Sequence, residues 1–296
     1  MSLPRPVLPG SFYLVTRRCT QRQFLLRPDA ETNNAYLYCL MDAATRFGID
    51  VLLMCAMSNH HHLVIYDRSG RYPEFIEHLH KLLARSQNAL RGRWENFWAA
   101  GQTSVVRLID PDDVLAELVY VATNPVKDDL VERAHHWPGI NGYRALIAGK
   151  LLRATRPLHF FRAEGPMPAT VEARLSIPAE LGDAGAFLRR LEQLVTEFEQ
   201  RAKQERMRSA RGVLGRRAIL RQSWKGSPNS FEPRRVLSPR VAARNLWSRV
   251  EALIQVKGFV RAYQTARAAW REGLPAEFPV GTYWLRRFAN VPIVAL

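Results

Sequence analysis

The sequence predicts an α+β fold, in which an antiparallel sheet sandwiched by helices over residues 1–160 is followed by a basic, mostly α-helical region over residues 161–296. In the first half, short β-prone apolar runs alternate with segments whose apolar residues recur at helical spacing. In the second half only helical spacing recurs. A Pro/Gly-rich stretch at 164–168 predicts a linker between the two halves.

Composition indicates a globular and strongly basic protein. The 296 residues are 47% hydrophobic, which is enough for a sizeable core and excludes disorder throughout. The net charge of +16 is uneven, because residues 1–160 carry +4 and residues 161–296 carry +12. This imbalance indicates a polyanionic partner, and a basic surface that only confers solubility is the alternative.

Cysteine usage and hydropathy predict a cytoplasmic protein that does not enter a membrane. Cys19, Cys39 and Cys55 lie in apolar contexts without a metal-binding or redox spacing, which is typical of reduced core thiols. No apolar stretch approaches the roughly 20 residues of a membrane span. The proline-rich start at 1–10 is not typical of a signal peptide.

The elements of the first half are predicted from turn residues and apolar spacing. Asp29 begins, and Gly48 ends, a long helix. Pro73 opens a second helix. The β-prone runs predict four strands, at 11–18, 51–57, 63–66 and 104–109. Strands 51–57 and 63–66 are close enough to form a hairpin.

A third helix is predicted at 112–123, since Asp110 provides an N-cap and Pro125 should end the helix. Tyr120 and Asn124 are four residues apart on its polar edge, so their side chains should meet on one surface.

The second half is predicted to be all-helical around a basic arm. Apolar spacing predicts helices at 186–207, 239–256, 259–270 and 282–288. Residues 206–240 are rich in basic residues, Gly, Pro and Ser, which predicts a loop or arm for phosphate contact. Its candidate DNA contacts are Arg216, Arg217, Arg234 and Arg235.

Three consecutive histidines open the second strand of the hairpin. Because side chains alternate along a strand, His60 and His62 share one face and His61 lies on the other. Two imidazoles on one face can hold a single cation. A hydrogen-bonded turn histidine beside two unspecialised ones is the alternative.

Cations and aromatics alternate after the second helix. Arg91, Arg93 and Trp94 could stack on unpaired bases while holding phosphates, or the aromatic side chain could cover the edge of the core. Arg17 and Arg18, at the end of the first strand, are further candidate DNA contacts.

Several motifs of the first half, taken in their order along the chain, resemble those of the single-tyrosine HUH transposases, and in particular those of the REP-associated tyrosine transposases. The resemblance covers residues 9–150, about half of the chain. The histidine motif alone is weakly specific, but its combination with Tyr120 and the following Asn-Pro-Val is specific. The matching segments are Gly10–Arg17, Asn59–His62, Tyr120, Asn124–Val126, Trp137 and Tyr143.

The resemblance implies a ferredoxin- or RRM-like HUH core and a metal-dependent single-strand DNA endonuclease and strand transferase. His60, His62 and Asn124 would hold one divalent ion, Mg²⁺ or Mn²⁺, and Tyr120 would be the nucleophile. The implied intermediate is a 5′-phosphotyrosine at a hairpin-forming repeat. It keeps the energy of the phosphodiester, so rejoining needs no ATP, and the lack of a P-loop glycine pattern agrees with this. Such enzymes act on DNA at the bacterial nucleoid, as homodimers or as monomers.

Two departures from the family pattern accompany this resemblance. His61 stands where a bulky apolar residue is usual, so it is predicted to be neutral and hydrogen-bonded in the core. The long basic C-terminal half is absent from the compact members.

Two alternative functions are a catalytically inactive, domesticated binder of DNA or structured RNA, and a zinc-dependent hydrolase, although no carboxylate base lies near the histidines in sequence. Tyr120 could also be an ordinary tyrosine at the edge of the core, with its hydroxyl in contact with solvent.

Overall fold

A computed structural model describes residues 3–101, 103–231 and 239–294. Its first half contains β1 (Ser11–Arg18), α1 (Ala30–Phe47), β2 (Ile49–Ala56), β3 (His60–Asp67), α2 (Tyr72–Leu90), β4 (Ser104–Leu108), α3 (Pro111–Lys127), α4 (Tyr143–Ile147) and β5 (Leu151–Thr155). Its second half contains β6 (Thr170–Arg174), α5 (Ala184–Arg208), α6 (Arg216–Arg221), β7 (Val241–Ala242), α7 (Leu246–Arg271) and α8 (Trp284–Ala289).

The main sheet has the order β2-β3-β1-β4-β7, and every pair in it is antiparallel except β4 with β7. The predicted α+β class with an antiparallel sheet is confirmed. The predicted helix caps are present as well, since the Asp29 side chain accepts from the Thr32 amide and Gly48 adopts φ +64°. Within the described ranges no helix combines the length and apolarity needed to cross a membrane.

The sheet carries helices on both faces, as the side-chain alternation of β3 makes visible. His61 contacts Tyr36 of α1 and His80 of α2. His62 contacts Tyr120 and Asn124 of α3 on the other face. The predicted sandwich is therefore confirmed. The face of β3 that carries His61 packs against α1 and α2, and the face that carries His62 packs against α3.

His61 is fully buried and hydrogen-bonded, as predicted. Its Nδ1 lies 3.0 Å from the Tyr36 hydroxyl and its Nε2 lies 2.9 Å from Nε2 of His80. Burial lowers the pKa of His61 well below its usual range and lowers the pKa of His80 to about 3. Two neutral imidazoles thus satisfy each other in the core, one donating and one accepting.

The buried His80 predicts a stability that depends on pH. The unfolded chain protonates this imidazole below about pH 6.5, whereas the folded chain does so only near pH 3. Stability is therefore present above about pH 6.5 and is lost as the pH falls towards 3. For this group alone we expect a loss of about 2 kcal/mol in unfolding free energy between pH 7 and pH 5.

Urea unfolding of the wild type and of His80→Asn at both pH values measures this loss. The variant should be less stable at pH 7 but show a shallower pH dependence. The same pH dependence in both proteins would contradict the role given to His80.

Helix α3 continues through Pro125 to Lys127, so the prediction that it ends before Pro125 is wrong. A proline within a helix removes one backbone hydrogen bond and crowds the preceding turn. Here the proline lies in the last turn, where its own carbonyl accepts from the Leu130 amide at 3.0 Å. Asn124 and Val126 beside it are buried, and this packing compensates for the missing bond.

The second half is mostly helical, but the prediction that it is all-helical is wrong. Strands β5 and β6 form an antiparallel hairpin, and its connection contains the predicted linker at 164–168. The predicted boundary at residues 160 and 161 falls between these two strands, and as a division of function it stays a prediction. The two helices predicted at 239–256 and 259–270 are one helix, α7, because a glycine such as Gly258 costs only about 1 kcal/mol inside a helix.

The second half packs on the first and shares its core. Leu191 and Val195 of α5 and Ile219 of α6 are buried in the main hydrophobic cluster. Helix α5 packs along α3, and the Ala134 amide beyond α3 donates to Glu199 of α5 at 2.8 Å. The C-terminal half therefore supports the helix that carries Tyr120.

Candidate active site

His60 and His62 lie side by side at the start of β3. Their ring centroids are 4.8 Å apart and the rings are nearly perpendicular. The predicted shared face is thus formed, and the two imidazoles converge on the side of the sheet that α3 covers.

The neighbours of the two rings are compatible with a proton on Nδ1 of each ring. Nδ1 of His60 lies 2.7 Å from the side-chain oxygen of Asn59, an acceptor, so this nitrogen is the donor. Nδ1 of His62 lies 2.8 Å from the Thr16 hydroxyl. With the proton on Nδ1, the lone pair of each ring is on Nε2, which is the arrangement that a metal-binding histidine needs.

Asn124 completes a donor set suited to a cation. Its side-chain nitrogen lies 3.5 Å from Nε2 of His62. Its buried oxygen has no hydrogen-bond partner within the described part of the chain. A half-turn of the amide would instead bring this oxygen to Nε2 of His62, where either a proton or a metal cation would have to lie between the two atoms. Two imidazole nitrogens and one amide oxygen therefore fit the predicted divalent ion.

Tyr120 stands next to this donor set on α3. Its ring is 5.1 Å from the His62 ring in an edge-on arrangement, and the Lys127 ammonium lies 5.0 Å from its centroid. The residue is only partly buried. The helix thus brings the predicted nucleophile and the third predicted ligand to the two histidines.

Charged groups lie on either side of Tyr120 along the helix. Glu117 is one turn earlier, and burial raises its pKa, although the cation of Arg244 opposes the shift. Lys127 is two turns later and exposed. A negatively charged phosphate at Tyr120 would meet the Lys127 cation and a carboxyl whose ionisation is weakened.

Strand register separates the two candidate arginines of β1. Arg18 pairs with His60 and therefore shares the face of the donor set. Arg17 pairs with His61 on the opposite face, where its guanidinium donates to the Thr103 hydroxyl and the Ala99 carbonyl. Burial lowers the pKa of Arg17. Two of its donors are therefore engaged within the protein, and the expectation that Arg17 contacts DNA stays a prediction.

Arg91 is also engaged within the protein. Its guanidinium donates to the Leu25 carbonyl and the Thr32 hydroxyl and is 3.6 Å from the Asp29 carboxylate. The side chain is only 4% exposed, so a phosphate could not reach it without disrupting these bonds. The sequence pattern did not reveal this, because the bonding partners are about 60 residues away.

The remaining candidate contacts differ in exposure. Trp94 is 88% exposed, and Arg93 lies half-buried against the Trp224 ring. Arg216 and Arg217 are exposed on α6. Arg234 and Arg235 lie outside the described residues. The contribution of the exposed ones to DNA binding stays a prediction.

Sequence reasoning did not assign roles to Thr16, Asn59 and Lys127. Thr16 could have been found from the strand register, because it pairs with His62. Asn59 belongs to the motif and orients His60. In the described ranges no group of three or more His, Cys, Asp or Glu side chains could hold a metal, so an ion at the two histidines would also need the Asn124 amide.

The solved structures that match this chain include two transposases of low sequence identity. No family model matches this chain, and no curated protein matches it. A REP-associated tyrosine transposase bound to a REP hairpin is 14% identical with a TM-score of 0.43, over 57% of this chain and 96% of that chain. A candidate transposase from Deinococcus radiodurans is 19% identical with a TM-score of 0.28, over 36% of this chain and 85% of that chain.

Proposed function

We propose that this protein is a metal-dependent single-strand DNA endonuclease and strand transferase, a transposase that acts at hairpin-forming repeats through a 5′-phosphotyrosine intermediate. The observation that carries the proposal is the meeting of Tyr120, His62 and Asn124 in one chain. The proposed nucleophile and the amide both contact the same imidazole, that of His62.

The donor set supports a dependence on Mg²⁺ or Mn²⁺. His60, His62 and the Asn124 oxygen would hold the ion and leave coordination positions open for a phosphate oxygen. A divalent ion bound there would polarise the scissile phosphodiester and neutralise its growing charge. Asn59 and Thr16 orient the two rings and can accept a hydrogen bond from Nδ1 of each, which would leave Nε2 for the ion.

Tyr120 supplies the attacking oxygen. The phenol oxygen forms a bond to phosphorus while the bond from phosphorus to the 3′-oxygen breaks, and the phenol proton is balanced by one gained at the 3′-oxygen. The product is a 5′-phosphotyrosine and a free 3′-hydroxyl. Because one phosphodiester replaces another, the reverse attack by a 3′-hydroxyl rejoins DNA without ATP.

Charge around the site supports a DNA partner. The Lys127 ammonium lies over the Tyr120 ring, Arg18 pairs with His60 across the strands, and the chain carries a net charge of +16. We expect both cations to attract DNA phosphates. Because Tyr120 and His62 of the same chain are in contact, we propose that one chain supplies both groups.

The direct experiment incubates the protein with 5′- or 3′-labelled single-stranded repeat hairpins and Mn²⁺. We expect a covalent protein–DNA band that retains the label on the 3′ side of the cut and disappears with EDTA. Tight binding without any covalent band under these conditions would reject the enzyme in favour of the inactive DNA- or RNA-binding alternative.

A further inference from the structure

The segment 214–226 of the C-terminal half is fixed beside the C-terminal end of α3, the helix that carries Tyr120. The Leu214 and Gly215 amides donate to the Asp129 and Leu130 carbonyls, both at 2.9 Å. Further along, the Phe24 amide donates to the Gly226 carbonyl at 2.8 Å. This part of the predicted basic arm is therefore not a free loop but is bonded at both ends to the first half.

Further contacts hold the segment and the residues that lead into it. The Asp129 carboxylate, two residues beyond Lys127, forms ion pairs with Arg206 and Arg211, which precede the segment, at 3.4 and 3.1 Å. Between the two anchored ends, Ile219 of α6 is fully buried in the main core. The position of α6 relative to α3, and therefore to Tyr120, is thus set by packing as well as by hydrogen bonds.

Three arginines of this segment face one open concavity. The concavity has a volume of about 650 Å³, and its lining within the described residues includes Arg216, Arg217 and Arg221 but no carboxylate. All three side chains are exposed. We call this group the arginine wall. Planar guanidinium groups bind phosphate oxygens in pairs, so the arginine wall is suited to a phosphodiester.

Aromatic and cationic side chains continue from the arginine wall. The Trp224 ring is approached by the Lys225 ammonium at 5.4 Å and by the Arg93 guanidinium at 5.8 Å. Trp94 projects from the same loop as Arg93 and is 88% exposed. Trp224 is partly buried against the main core, whereas the Trp94 ring is open to stacking. Cations beside aromatic rings are typical of surfaces that bind nucleic acid strands, whereas an acidic peptide would need only the cations.

We infer that the arginine wall binds backbone phosphates of the DNA strand next to the scissile bond and sets which phosphodiester reaches Tyr120. The inference rests on the proposed function and extends it, because it makes part of the C-terminal half a determinant of the cutting position. A phosphate site at a fixed place relative to the nucleophile holds the strand in one register.

The test replaces Arg216, Arg217 and Arg221 together by glutamine in the full-length chain. The matched control replaces three exposed cations of α7, Arg249, Lys257 and Arg261, by glutamine, which removes the same net charge. Binding of a fluorescent single-stranded repeat hairpin is measured by anisotropy in EDTA at several salt concentrations, so that no cleavage is required. Thermal unfolding checks that each variant is folded.

We expect the wall variant to bind at least tenfold more weakly and the control less than threefold more weakly. The slope of log affinity against log salt should fall by about 2 to 3 in the wall variant, since each lost phosphate contact contributes about 0.7 to 0.9. With Mn²⁺, sequencing-gel mapping should give one cut in the wild type and several neighbouring cuts in the wall variant.

Two results would overturn the inference. Equal losses in the two variants, or no loss in either, would mean that charge acts diffusely and not through this wall. Polyglutamate that competes for the wall as effectively as the oligonucleotide would assign it to an acidic protein partner. Because binding is measured without cleavage, a wild type that forms no covalent adduct would reject the proposed chemistry but not the wall.

Discussion

Replacing Tyr120 with phenylalanine is expected to abolish covalent adducts and to lower the nicking rate about a thousandfold or more, while leaving hairpin binding within about twofold. The phenyl ring keeps the edge contact with His62 and the position beside Lys127, and only the attacking oxygen is removed. Denaturing gels report the adduct, and anisotropy in EDTA reports binding.

A matched control distinguishes this residue from tyrosines in general. Tyr263→Phe changes a residue of the small C-terminal cluster around Phe278, and it should leave adduct yield unchanged. Adducts that persist in Tyr120→Phe would exclude this side chain as the nucleophile.

Replacing His62 with alanine is expected to lower Mn²⁺-dependent nicking about a hundredfold or more. The substitution removes one nitrogen donor and leaves the Thr16 hydroxyl and the Asn124 amide without their imidazole partner. His60→Ala should act in the same direction, since the two rings form one site. Electron paramagnetic resonance of free Mn²⁺ measures ion binding independently of DNA chemistry.

His135→Ala is the control for this prediction, because His135 is exposed on the short helix Ala134–His136 outside the site. It should bind Mn²⁺ and nick DNA as the wild type does. If His62→Ala retained the affinity of the wild type for Mn²⁺, the pair of imidazoles would not be the metal site.

Alternation along a strand was sufficient to predict much of the site. From the spacing alone, His60 and His62 fall on one face and His61 on the core face, and the structure has both. The four-residue spacing of Tyr120 and Asn124 likewise predicted that they share a helix surface. These inferences succeeded because each depends on local geometry that a strand or a helix imposes on nearby residues.

Predictions that depend on distant partners were less successful. Arg91 reads as a surface cation in sequence, but Leu25, Thr32 and Asp29 surround it in the fold. Arg17 lies on the His61 face, a distinction that becomes clear only when the pairing with β3 is known. Tertiary packing determines which groups surround a charged side chain, and the local spacing of residues does not reveal these contacts.

Helix ends were the other source of error. Pro125 and Gly258 both carry low helix propensity, yet α3 and α7 continue through them. Propensity costs of about 1 to 3 kcal/mol are smaller than the gain from burying several apolar side chains. Strand β7 was missed as well, since two residues carry no detectable periodicity and the strand forms by pairing with β4.

The most direct test of Tyr120 as the nucleophile is mass spectrometry of the peptide that carries DNA after reaction with a labelled repeat hairpin and Mn²⁺. We expect a nucleotide attached through its 5′-phosphate to Tyr120, together with a free 3′-hydroxyl on the released strand. Attachment at another tyrosine, or cleavage that leaves no nucleotide on the protein, would contradict this role of Tyr120.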